Sequence, residues 1–173
     1  MMSLLAVVVA VLSVLVVVNL LLSFALIGRL RVLQETVSRG GVMKDPNLPQ
    51  PGDPIRPFQA LTEDGVQLSD EVLRSGVSLV GFFTTGCKPC AVVRQQLLER
   101  PPTLPFMAFV EGNPQDPDTR DLAEALKRVA RVAFTTADGP AHKAFEPPGY
   151  PTLIRVEDGK VAAAGNRLSD VLP

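Results

Sequence analysis

Ser78-Leu79-Val80-Gly81-Phe82-Phe83-Thr84-Thr85-Gly86-Cys87-Lys88-Pro89-Cys90 is a strand that runs through a tight turn into a helix. Ser78 to Thr84 is a short, nearly unbroken apolar run, the pattern of a strand covered on both faces. Thr85-Gly86 supplies the turn. From Cys90 to Arg100 helix formers take over, with Val93, Leu97 and Leu98 at helical spacing, until Pro101-Pro102 stops them. Both cysteines of the chain fall inside this one window.

Outward from it the elements alternate in type. Leu104 to Val110 reads as a second buried strand. Pro117 to Arg131 reads as an amphipathic helix, with Leu122, Ala125, Leu126 and Val129 on one face and Asp118, Arg120, Glu124, Lys127 and Arg128 around the other. A short strand is expected near Ala133 to Thr135. Thr152 to Val156 and Lys160 to Ala164 flank Glu157-Asp158-Gly159, a strong hairpin signal. A βαβ unit followed by an antiparallel pair predicts an α/β fold, a central mixed sheet with helices on both faces. The C-terminal helix is at most Leu168 to Leu172, which leaves a sheet edge less covered. Phe82, Phe83, Phe106 and Phe109 belong to the core, and His142 to the surface of a short helix.

Two cysteines cannot build the multi-bridge framework of a small secreted domain, so they are a redox pair or half of a metal site. Structural zinc needs four thiolate or imidazole ligands, and the chain offers two thiols and the single His142. No metal site is expected. A cysteine at the first turn of a helix faces free backbone N–H groups and the positive end of the helix dipole, which favour thiolate over thiol. Cys87 is therefore the expected nucleophile. Cys90, one turn on, is the expected resolving thiol, which attacks the mixed disulfide and releases the product. Lys88 adds a screened positive charge, and Pro89 suits the first turn, where its missing N–H is not needed.

The run Pro51-Gly-Asp-Pro-Ile-Arg-Pro-Phe58, Leu61-Thr-Glu-Asp-Gly-Val-Gln-Leu68, Val80-Gly-Phe-Phe83, Cys87-Lys-Pro-Cys90 and Gly149-Tyr-Pro-Thr-Leu153 resembles the TlpA/ResA-type thioredoxin-like proteins over nearly all of residues 51 to 165. The resemblance implies a thioredoxin-like fold and a thiol-disulfide oxidoreductase held at the membrane outside the cytoplasm. The chemistry would be disulfide reduction, with no cofactor beyond the Cys87–Cys90 disulfide. It also implies that Pro151 is a cis-proline facing the cysteines, with Tyr150 and Thr152 beside it. A cis bond there would present the backbone edge of Tyr150 to an extended client strand, and Lys88 and Pro89 would flank the same client. Glu111, at the end of a predicted strand, is the candidate proton acceptor for the resolving cysteine. The sequence departs from the family in having Gly86, not Trp, before the first cysteine, which implies a more open client groove.

Two rival readings carry their own signals. Thr84 stands three residues before Cys87, as in peroxiredoxin-like peroxidases, but Val80 occupies the place of the proline expected before it. A non-enzymatic anchored protein handling copper is the other, since soft thiolates select Cu(I).

Residues 1 to 28 contain no Asp, Glu, Lys, Arg or His. As a helix, Leu4 to Ile27 would reach roughly 36 Å, enough for a hydrocarbon core of about 30 Å. The segment lacks the basic start of a secretory signal and exceeds its usual length, and Ser23-Phe24-Ala25 is the only passable cleavage site. We read it as a single transmembrane anchor. Residues 29–50 form a juxtamembrane segment and Pro-rich linker, and residues 51–173 the thioredoxin-like domain. Asp45 to Pro57, with five prolines, reads as a semi-stiff spacer. Arg29, Arg31 and Arg39 follow the anchor, so the positive-inside rule favours a cytoplasmic domain, whereas the family resemblance favours the outside. We expect the outside. With a formal net charge of −1 and scattered basic residues, nucleic acid is excluded as a partner. The expected partners are a protein thiol or disulfide client and a membrane electron donor.

Overall fold

In the computed structural model, residues 47–172 are described, together with Leu15, Val16 and Asn19, which are helical. The expected anchor over residues 1–28 otherwise lies outside the described residues, as does most of the linker. Among the described residues no helix is long and apolar enough to cross a membrane.

The Ser78–Thr84 run becomes β3 (Val77–Thr84), and it is the middle of a five-stranded sheet. A small hairpin, β1 (Gln59–Leu61) and β2 (Gln67–Ser69), precedes it. Helix α1 (Lys88–Glu99) and β4 (Phe106–Glu111) follow, then helix α2 (Pro117–Lys127) and β5 (Arg131–Thr135). Helix α3 (Pro140–Phe145) leads to β6 (Thr152–Glu157) and β7 (Lys160–Gly165). The strand order is β5-β4-β3-β6-β7, with β3, β4 and β5 parallel and β6 and β7 antiparallel. Parallel neighbours need crossovers, which α1 and α2 supply, and the antiparallel pair needs only a turn. Asp158 and Gly159 make that turn with φ of 47° and 77°, the left-handed pair that a two-residue hairpin requires.

Strand alternation splits the core into two layers. Val80, Phe82, Met107, Phe109, Ile154 and Val156 point to one face, where the β1–β2 hairpin and α3 cover them. Phe58, Phe82, Phe109 and Phe145 meet there with ring centroids 5.1–6.3 Å apart. Leu79, Phe83, Phe106, Ala108, Val110 and Leu153 point to the other face, under Val93 and Leu97 of α1 and Leu122 and Leu126 of α2. The four phenylalanines assigned to the core are all buried. His142 departs from expectation, being half-buried with its ring edge-on to Phe82 at 6.3 Å.

The end of the second helix and the state of the spacer differ from the sequence reading, whereas the C-terminal segment stays within its expected bound. The second helix stops at Lys127, because the N–H groups of Val129 and Ala130 close the last turn on the Leu126 carbonyl and Arg131 already pairs with Met107 in the sheet. The C-terminal helix is a single 3-10 turn at Leu168–Asp170, and Val171 behind it is buried. The expected spacer is not free where it is described. Leu48 sits in the core, Gly52 donates to the Val161 carbonyl at 2.8 Å, and Pro54 bridges Lys160, so residues 48–55 dock along β7. Prolines suit such an edge because they have no N–H to leave unpaired. Near β2, the Arg74 guanidinium and the Phe58 N–H hold the Asp70 carboxyl below its ordinary value of 3.8 and tie the hairpin to the chain before it.

Gly81 lies in β3 on the helix-covered face. A Cβ there would come 2.7 Å from a Phe83 ring carbon, 3.1 Å from Phe106 and 3.2 Å from Leu153. Gly81→Ala is expected to lower stability by about 1–3 kcal/mol through overpacking, measured as a lower denaturation midpoint with an unchanged slope.

Candidate active site

The turn out of β3 sets the geometry. Gly86 has φ of 68°, a left-handed conformation that a side chain would strain, and nothing stands within 4 Å of where its Cβ would lie. Nothing crowds this flank of the turn. The chain then enters α1 with Cys87 as its N-cap in an extended conformation, and Pro89 falls in the first turn. The backbone N–H of Cys90 donates to the Sγ of Cys87 at 3.2 Å, so the sulfur takes the place of the usual capping oxygen.

Cys87 and Cys90 are joined as a disulfide, with their Cα atoms 5.2 Å apart. The two sulfurs live in different surroundings. Cys87 is partly exposed, between exposed Gly86 and exposed Lys88, whereas Cys90 is 1% exposed and packed in the core layer under α1. An incoming group meets Cys87 first.

The Tyr150–Pro151 bond is cis. The Tyr150 carbonyl oxygen stands 3.4 Å from the Cys87 Sγ. In the disulfide that sulfur carries no proton, so this is a packing contact. Pro151 and Thr152 are buried, and the Thr152 hydroxyl donates to the Gly149 carbonyl at 2.7 Å, which pins the loop. Tyr150 is half-buried and touches both core layers. The cysteines and the Tyr150-Pro151-Thr152 segment, sixty or more positions apart in the chain, therefore meet at one end of the sheet because β3 and β6 are antiparallel neighbours with Phe82 opposite Thr152.

Glu111 does not join them. It ends β4, and alternation puts it on the face of Met107 and Phe109, opposite the face that α1 and Cys90 occupy. The proton-acceptor role assigned to Glu111 is therefore corrected. Its backbone carbonyl instead accepts the Thr84 hydroxyl at 3.2 Å. That bond also occupies the hydroxyl on which the peroxidase reading rests.

An open cleft of about 400 Å³ lies beside the disulfide. It is lined by both cysteines, Thr85, Lys88 and Arg94 from the α1 side, and by Asp118, Asp121 and Leu122 of α2. The sequence reading missed Arg94, Asp118 and Asp121. Arg94 is one turn beyond Cys90, a spacing visible in the sequence. The two aspartates come from a separate element, and no local pattern announces that α2 packs beside α1.

No family model matches the sequence, and no curated protein matches it. Solved structures do. The thioredoxin domain of a thiol-disulfide oxidoreductase from Bacteroides vulgatus aligns at 18% identity with a TM-score of 0.58, covering 70% of this chain and 92% of that one. A thiol:disulfide interchange protein from a Bacteroides species aligns at 18% identity and 0.57, covering 70% and 85%. A thioredoxin-family thiol:disulfide interchange protein from Chlorobium tepidum aligns at 22% identity and 0.50, covering 67% and 86%. Together with the strand order and the cysteine pair heading α1, these likenesses establish that the chain has a thioredoxin-like α/β fold.

Proposed function

We propose that the protein is a thiol-disulfide oxidoreductase that works through a mixed disulfide on Cys87. The observation that carries this reading is the contrast between the two sulfurs, one partly exposed at a helix N-cap and the other buried behind it. In the reduced form the Cys90 N–H and the open end of α1 favour the Cys87 thiolate. That thiolate attacks a sulfur of the client disulfide, and the client's other sulfur leaves. Cys90 then loses its proton and attacks the Cys87 sulfur. The ring closes, and the client departs with two thiols and the two electrons. Tyr150, Lys88 and Pro89 form the surface on which an extended client segment lies, and buried Thr152 holds the Gly149 carbonyl of that loop from beneath. The likeness of the Cys-Lys-Pro-Cys segment to that of reducing TlpA/ResA-type proteins supports reduction as the working direction. The named neighbours, a thiol-disulfide oxidoreductase and thiol:disulfide interchange proteins, are consistent with the same chemistry.

The apolar composition of residues 1–28 supports a single-pass anchor, with the domain outside the cytoplasm and recharged by a membrane electron donor. Cell thiol pools would otherwise keep the pair reduced without such a donor.

Two outcomes test these statements. With a protein disulfide as substrate, Cys87→Ser is expected to fall to the uncatalysed rate. Cys90→Ser should complete the first attack and accumulate a covalent complex, visible by mass spectrometry without reductant and lost on adding it. Accumulation on Cys87→Ser instead would reverse the assignment. In intact cells, a membrane-impermeant thiol reagent should label Cys87 after mild reduction. Labelling only after lysis would put the domain in the cytoplasm.

A further inference from the structure

The cleft beside the disulfide carries charges of both signs in a definite arrangement. Lys88 and Arg94 come from α1, and Asp118 and Asp121 from α2. Elsewhere on the domain some charges do pair across elements, Lys127 with Glu63 and Arg56 with Glu146. Among the described residues, none of the four cleft charges takes part in an ion pair or side-chain hydrogen bond. Cations and carboxylates thus line one cleft without neutralising each other, and the reactive sulfur opens into the same space. At about 400 Å³ the cleft falls within the size range of small-molecule sites, which is about 300–1,000 Å³.

We infer that this cleft takes a small zwitterionic disulfide of the cystine type, in which each half bears an ammonium and a carboxylate. Asp118 and Asp121 receive the ammonium, Arg94 and Lys88 the carboxylate, and the disulfide sulfur is left against Cys87. Uncharged disulfides gain nothing from either wall. The inference rests on the dithiol reading above and extends it from protein clients to a low-molecular-weight substrate. The reaction balances with the reduced protein as electron source. The Cys87 thiolate displaces one half as a thiolate, which is protonated by water. Cys90 then gives up its proton, closes the Cys87–Cys90 disulfide and releases the second half, so that two electrons leave the protein and two small thiols form.

The test compares the full-length reduced protein with cystine and with bis(2-hydroxyethyl) disulfide, each rate divided by that of dithiothreitol with the same compound. The normalised ratio, zwitterionic over neutral, is expected to favour cystine by up to about tenfold at low ionic strength, the scale of one or two exposed ion pairs. It should fall towards one in molar salt. The double variant Asp118→Asn/Asp121→Asn and, independently, Arg94→Gln should each lower the ratio, whereas Arg128→Gln and Asp138→Asn, outside the cleft, should not. A wild-type ratio near one, or a ratio that both cleft variants leave intact, would overturn the inference while leaving the dithiol chemistry standing. Failure to reduce the neutral compound as well would overturn both.

Discussion

A single short contact organises this molecule: the N–H of Cys90 reaching back to the Cys87 sulfur at 3.2 Å. That N–H is one of the donors that the start of any helix leaves without an internal partner. Filling it with sulfur ties the reactivity of Cys87 to the existence of α1. The remaining architecture serves to hold that helix start in place. Val93 and Leu97 anchor α1 to the sheet, and Leu122 and Leu126 of α2 pack in the same layer. Gly86, left-handed, turns the chain from the central strand into the cap.

From this constraint follows the difference in exposure between the cysteines. The residue that caps a helix stands at its rim, and the residue three positions on faces inward if the helix lies on a sheet. Cys90 is therefore buried because α1 must bury that face, and Cys87 is reachable because the cap must not. The Tyr150–Pro151 loop closes the third side. It arrives there through the antiparallel pairing of β6 with β3, and the Thr152 hydroxyl on the Gly149 carbonyl keeps it close.

What could be read in the sequence was whatever is encoded by neighbours in the chain. The apolar run of β3, the helix after Cys87, the Asp158-Gly159 turn and the βαβ order all follow from local period and turn chemistry. So does the location of the cysteine pair at the head of α1. Long-range placement was less legible. The β1–β2 hairpin has strands of three residues each, too short for a pattern to stand out, and the docking of residues 48–55 on β7 depends on an edge that exists only once the sheet has formed. Glu111 shows the same limit in one residue. Its place at the end of a predicted strand suggested the role, but a strand's alternation sends it to the face away from Cys90. Asp118, read as part of an ordinary solvated helix face, and Asp121 border the disulfide cleft because two helices share one side of the sheet.

The account stands or falls on the ionisation of one thiol. In the fully reduced protein, the rate of iodoacetamide alkylation across pH, with the modified residue located by mass spectrometry, reports it directly. Cys87 is predicted to react first, with a midpoint well below the ordinary thiol value of about 8.5, while Cys90 stays protected over the same range. A Cys87 midpoint at or above that value, or a Cys90 that reacts first, would contradict the account.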